Sequence, residues 1–291
     1  IIFFCFYYMN TIILNSSNRD GNTGGRFIYK FPSNAKFSEG DTIGIESISL
    51  YNSIFNVEAS RGNNTFSIKW NADTTVQYDF TIPDGFFDIP ALNYYIQYVC
   101  VQNNLYCINA SGNYVYFIEL VINSSVYGAE LRLYPLPDTT EAGTLGYTKP
   151  SGATWNFHAT LDKTPQVIVS TAFGALFGFA AGTFPSSVQA TSQFIGSTIT
   201  SQISIVNSLI LTCNLVNSEF SNPVNVFFSM PLTAPYGSLM SNNTANRTDV
   251  PIYAGTYREI AIEILDQQYN RVILHDFEVL IKLVLITSRK Q

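Results

Sequence analysis

Charge is scarce in this sequence. Only 12% of its 291 residues are Asp, Glu, Lys or Arg, about half the ~25% usual in soluble proteins. The balance is acidic, with 15 basic against 21 acidic side chains and a net charge of −6. Neutralising a phosphate backbone takes a surplus of Lys and Arg on one face, so a nucleic-acid partner is not expected. Arg19, Arg26, Lys30 and Lys36 are interrupted by Asp20 and too sparse to form a basic arm. Histidine is scarcer still, at two residues, and the four cysteines, Cys5, Cys100, Cys107 and Cys213, form no CxxC pair. That spacing offers neither a zinc site nor a dense disulfide framework. Buried apolar cysteines are expected. Cys100 and Cys107 could be bridged only if the helix and strand expected there lie side by side.

Recognisable catalytic motifs are missing too. There is no HExxH, no GxSxG and no Gly-rich phosphate loop. His158 has Asp162 four residues on and His275 is followed by Asp276, but a nucleophilic triad also needs a nucleophile and an oriented base. Both histidines are expected to be structural. Asp84 could serve in a carboxylate pair for glycoside hydrolysis, yet no second carboxylate is singled out as its partner. No catalytic, cofactor-binding or metal site and no cofactor are expected, and the chain is not read as an enzyme.

Hydrophobic residues make up 46% and aromatics 14%, enough for a sizeable core. Polarity comes from runs such as 15–18 (NSSN), 63–65 (NNT) and 241–244 (SNNT), which carry no charge. Such a surface repels its neighbours weakly, which suits a protein that packs against others. Residues 1–8 are apolar and aromatic, without the basic flank of a signal peptide, and far short of the ~20 residues of a membrane helix. They are read as an extension upstream of a start at Met9, and no membrane anchor is expected.

Period-two alternation dominates the chain, the signature of half-buried antiparallel strands. Phe27, Tyr29 and Phe31 alternate with Arg26 and Lys30, and this strand is expected to end at Pro32. Ile43 and Ile45 are out of phase with Ile48 and Leu50, which predicts a β-bulge near Glu46 and Ser47. Phe66, Ile68 and Trp70, then Val76, Tyr78, Phe80 and Ile82, form a hairpin pattern. Pro83, Asp84 and Gly85 read as a turn in which Gly85 takes a positive φ. The period then changes: Asp88 can cap a helix over 89–102, with Leu92, Ile96 and Val99 on one face, ended by Asn103 and Asn104. Residues 138–153 are rich in Gly, Thr and Pro and read as a long exposed loop. Residues 277–287 are almost continuously apolar and read as a central strand buried on both faces.

About a dozen strands, one short helix near 89–102 and no βαβ rhythm predict an all-β fold, a sandwich of antiparallel sheets, over residues 9–291. Residues 153–202 are the least strand-like part and form a possible insertion. Within them, Gly174, Gly178 and Gly182 recur every fourth residue among Phe173, Phe177, Phe179 and Phe184. That spacing permits either close helix approach in a membrane, with fusion-peptide-like activity, or a tightly packed turn or short helix plugging the sandwich, the second being the expectation. The aromatics allow sugar-stacking platforms as well as core, with core the default.

Several stretches together resemble the minor capsid (penton) proteins of virophages and Polinton/Maverick-like elements. They are residues 9–20 (MNTIILNSSNRD), 27–57, 63–70 (NNTFSIKW), 173–185 (FGALFGFAAGTFP), 208–230 and 257–286, and above all 78–97 (YDFTIPDGFFDIPALNYYIQ). The resemblance runs from Met9 to the end and implies a single jelly roll that assembles as a homopentamer. It would sit at the five-fold vertices of an icosahedral shell, beside a double-jelly-roll major capsid (hexon) protein. Its location would be the virion, assembled in the infected host cell, and the family has no catalytic residues to carry over. Residues 1–8 depart from the pattern. The alternative is a carbohydrate-binding jelly roll used for attachment.

Overall fold

The computed structural model describes residues 6–21, 24–126, 128–219, 221–243 and 247–289, and their regular structure is almost entirely antiparallel strand. The chain forms two compact units, one of residues 1–54 with 206–291, the other of residues 55–205.

The first unit opens with β1 (Phe6–Asn15), β2 (Arg26–Phe37) and β3 (Thr42–Tyr51). The second unit holds β4 (Thr65–Asn71), β5 (Thr75–Thr81), α1 (Ile89–Gln102), β6 (Cys107–Ile108), β7 (Tyr114–Val115) and β8 (Ile118–Asn123). It continues through β9 (Gly128–Leu133), α2 (Thr139–Leu145), β10 (Gln166–Val169), α3 (Thr171–Phe177), β11 (Gly182–Phe184) and β12 (Gln193–Gly196). The chain then completes the first unit with β13 (Ser208–Cys213), β14 (Val226–Pro231), β15 (Leu239–Asn243), β16 (Val250–Pro251), β17 (Gly255–Leu265) and β18 (Val279–Arg289).

In the first unit the strands fall into two sheets, ordered β1-β18-β3-β15, with β16 also on β3, and β14-β13-β17-β2. Apart from the β13–β14 hairpin, and setting aside the two-residue β16, each step along the chain crosses from one sheet to the other. That is the strand order of an eight-stranded jelly roll. Leu14, Ile43, Ile45, Ile48, Leu50, Ile281 and Leu283 of one sheet are buried, as are Phe27, Leu209, Leu211, Ile260, Ile262 and Ile264 of the other. Each contributes about 1.5–3 kcal/mol relative to exposure.

The phase slip in β3 is a bulge: Lys282 pairs with Ser47 but Leu283 with Ile45, leaving Glu46 as the extra residue. Strand β2 does not stop at Pro32. It is an edge strand, where a residue without an N–H is tolerated, and its ladder with β17 resumes at Ala35 opposite Tyr257 after a register shift. Strand β18 is central, between β1 and β3, yet its double burial is confined to Leu283, Val284 and Leu285, since Leu280 is exposed and Lys282 half-buried.

Outward-pointing Val284 is only 1% exposed. Its register partner is Gly44, and a Cβ on Gly44 would stand 2.4 Å from Asp249 Oδ1 and 2.9 Å from the Thr248 carbonyl. Residues 247–249, braced by a two-pronged ion pair from Arg247 Nε and Nη2 to Asp249 at 2.6 and 2.9 Å, thus cross the outer face of the sheet at this point.

The second unit has its own core. Phe66, Ile68 and Trp70 of β4, Ile118 and Leu120 of β8, Leu131 and Leu133 of β9, and Ile89, Leu92, Ile96, Val99 and Cys100 of α1 are all buried in it. Its sheets run β11-β10-β4-β5 and β12-β9-β8, with β6 and β7 as a separate hairpin. The Trp70 ring meets Trp155 at 5.4 Å and Phe117 at 6.0 Å, both edge-to-face. Trp155 Nε1 donates to the Asn104 carbonyl at 2.7 Å, so a tryptophan from a long loop anchors the end of α1.

Helix α1 follows its sequence signals. Asp88 Oδ1 accepts from Ala91 N at 2.8 Å, Pro90 occupies the first turn and Asn103 is the C-cap. The segment leading into it differs from expectation. Gly85 does not take a positive φ; it forms a two-bond antiparallel bridge with Val57, both N–H···O distances being 3.0 Å. An extended glycine recruited by a distant strand-like residue replaces the local turn. Residues 138–153 also differ, because α2 lies within them, capped by Asp138 at its start and by left-handed Gly146 at its end. Only Ala142 of this helix is buried, so it carries no apolar stripe to reveal it in the sequence.

Candidate functional site

Most of the residues singled out for chemistry brace the backbone around them. His158 Nδ1 accepts from Thr160 N and Leu161 N at 3.2 and 3.0 Å, which makes it a loop brace. Asp162 is a brace as well: its Oδ1 accepts from Asp138 N at 2.9 Å. In the other pair, Asp276 N donates to Ser53 Oγ at 2.8 Å and Asp276 Oδ1 accepts from Glu278 N at 2.9 Å. Asp84 Oδ1 accepts from Ala59 N at 2.7 Å, fixing the Gly85 bridge. Among the described residues no group of three or more His, Cys, Asp or Glu is placed to hold a metal ion.

Cys100, Cys107 and Cys213 are buried free thiols, and burial pushes all three up to about 12. Cys5 lies outside the described residues. The glycine-phenylalanine segment is core: Phe173, Leu176, Phe177 and Phe179 are buried, and Phe173 stacks on Phe66 at 5.4 Å. A Cβ on Gly174 would stand 2.4 Å from the Phe179 carbonyl. Small size there lets α3 fold back on its own exit. No helix among the described residues is long and apolar enough to cross a membrane.

Two surface features remain. The first is strand β1, at the edge of its sheet, where Met9 and Ile13 on the outward side are 67% and 53% exposed. Leu280, beside them on β18 opposite Asn15, is also exposed. An edge strand presents unpaired N–H and C=O groups, and this one has no charged residue along its ten positions.

The second feature is a set of tyrosines on the second unit that sequence reading did not separate from the core. A cavity of about 340 Å3 is walled by Tyr116, Phe117, Tyr134, Pro135, Tyr147 and Glu141. Tyr134 Oη donates to Glu119 Oε2 at 3.1 Å. Burial, then Cys100, Tyr114 and Tyr94, push the Tyr116 phenol above its ordinary range. A second cavity, about 510 Å3, lies at the start of α1 between Pro90, Ile122, Asn123 and Ile203. Its Asp88 is already committed to capping the helix.

No protein-family model matches the sequence, and no curated protein matches it. Among solved structures the chain is similar to the mavirus penton protein, at 9% identity and a TM-score of 0.44, over 98% of this chain and 100% of that one. It is similar as well to a chain of the cryo-EM structure of the Sputnik virophage, at 11% identity and a TM-score of 0.42, over 97% of each.

Proposed function

We propose that this chain is a structural subunit of a viral capsid, the minor (penton) protein, whose work is association and which is not an enzyme. It closes as a homopentamer at the five-fold vertices of the virion and meets a double-jelly-roll major capsid (hexon) protein. The observation that carries this reading is the jelly-roll strand order of the first unit, flanked by an uncharged edge strand with protruding Met9 and Ile13. Ring closure requires one flank of a subunit to meet a different flank of the next, and an unpaired apolar edge is a surface that such a contact would cover. The sparse, acidic charge fits shell building better than genome binding. The resemblance of residues 9–291 to minor capsid proteins supports the same reading.

The test is the mass of the purified chain by multi-angle light scattering, together with negative-stain imaging. Five-fold rings of about five times the 32.4 kDa subunit, and incorporation into particles on co-expression with a double-jelly-roll capsid protein, are expected. A monomer at every concentration, with no incorporation, would rule the reading out.

A further inference from the structure

We propose that the second unit carries a binding site for a neutral saccharide, in the cavity walled by Tyr116, Tyr134 and Tyr147. The inference stands independently of the capsid reading, since it concerns a recognition surface that association does not require.

Ligand pockets run from about 300 to 1,000 Å3, so about 340 Å3 suits a mono- or disaccharide. The walls are of two kinds. Tyr116, Phe117, Tyr134 and Tyr147 supply rings and Pro135 a flat aliphatic surface, against which the C–H face of a pyranose packs while its hydroxyls stay wet. Glu141 lines the same cavity, and Glu119 is tied to the Tyr134 hydroxyl. Glu141 offers acceptors to sugar hydroxyls and Glu119 orients the Tyr134 hydroxyl, and hydrogen bonds to charged groups are the stronger ones.

The charge around the cavity selects a neutral sugar over an anionic one. Glu141 sits in the field of Asp162 and Asp138. The nearby cation, Arg132, is engaged by Glu130 at 2.8 Å. A sialic acid or a sulfated sugar would bring a like charge to these carboxylates. Further tyrosines flank it: Tyr94, exposed on α1, and Tyr114 both act on the Tyr116 phenol, and Tyr114 meets Tyr106 at 4.5 Å in a tilted pair. Tyrosine-rich, charge-poor surfaces give large rigid contact area at low entropy cost.

The 291-residue chain is screened on a printed array of neutral and acidic glycans, and hits are titrated calorimetrically. Retention of a neutral glycan is expected, weakened at least tenfold by Tyr147→Ala and by Glu141→Gln. Tyr253→Ala, on the first unit, is expected to leave binding unchanged. Light scattering on the same samples reports association separately, so loss of one property is distinguished from loss of the other. No neutral glycan retained, preference for acidic glycans, or binding that survives both cavity substitutions would each overturn the assignment. Tyr134→Phe, which keeps the ring and removes the bond to Glu119, guards against a misfolded alanine variant.

Discussion

Lys282 Nζ donates to Glu46 Oε1 at 2.9 Å, and Glu46 is the one residue by which β3 exceeds β18 at this point in their ladder. The bulge turns Ile43 and Ile45 to the same buried side as Ile48 and Leu50, although the two pairs differ in phase. The ion pair and the extra residue make separable contributions. Both side chains are over a third exposed, so the pair is worth at most about 1 kcal/mol, and Glu46→Ala should shift thermal unfolding by a few degrees at most. Deleting Glu46 moves either Ile43 and Ile45 or Ile48 and Leu50 to the solvent side. The expected result is loss of soluble, cooperatively unfolding protein, checked by circular dichroism on heating.

Gly44 has no room for a methyl group under residues 247–249. Gly44→Ala should cost about 1–3 kcal/mol, the usual range for overpacking, read from urea unfolding midpoints. An unchanged midpoint would mean that the crossing segment does not press on the sheet.

The outward side of β1 tests the proposed association. Ile13→Glu replaces an exposed side chain and should leave the melting temperature within about two degrees, since such surface changes stay within about 0.5 kcal/mol. Its effect should appear in light scattering instead, as a shift from the assembled species to the monomer.

Partial loss of hydration first, then Asp162 and Asp138, hold the Glu141 carboxyl above its ordinary value of 4.5. A raised carboxyl group keeps its proton longer when folded than when unfolded. Its stabilising contribution is complete below pH 4.5 and is lost as pH rises through the raised value. Glu141→Gln, which cannot titrate, should therefore lose less stability than the parent as pH is raised from 4 towards 7 in urea titrations. The side chain is largely exposed, so the difference will be small.

The buried thiols give a second pH signature. With Cys100, Cys107 and Cys213 at about 12, only about one thiol in ten thousand is ionised at pH 8. In a Cys5→Ser background, a disulfide-exchange reagent should label no thiol within an hour in buffer and all three in denaturant. Stability should also fall above pH 9, where the unfolded thiols ionise and the folded ones do not.

Local physics was legible in the sequence. Alternation located the long strands, the phase slip marked the bulge at Glu46 and the Asp88 cap fixed the start of α1. The nearly continuous apolar run near the end marked β18 as central. Each of these signals lies within a dozen residues, where side-chain direction follows backbone period. Partner choice is not local. That β3 is followed in its jelly roll by β13, after the second unit, depends on pairings across more than 150 residues. Likewise Val57 draws Gly85 out of a turn, residues 247–249 bury Val284 on an outward face, and tyrosines from the segments before β8 and after β9 and from a later loop converge on one cavity. Period states which way a side chain points, and only the tertiary structure decides what stands there to meet it.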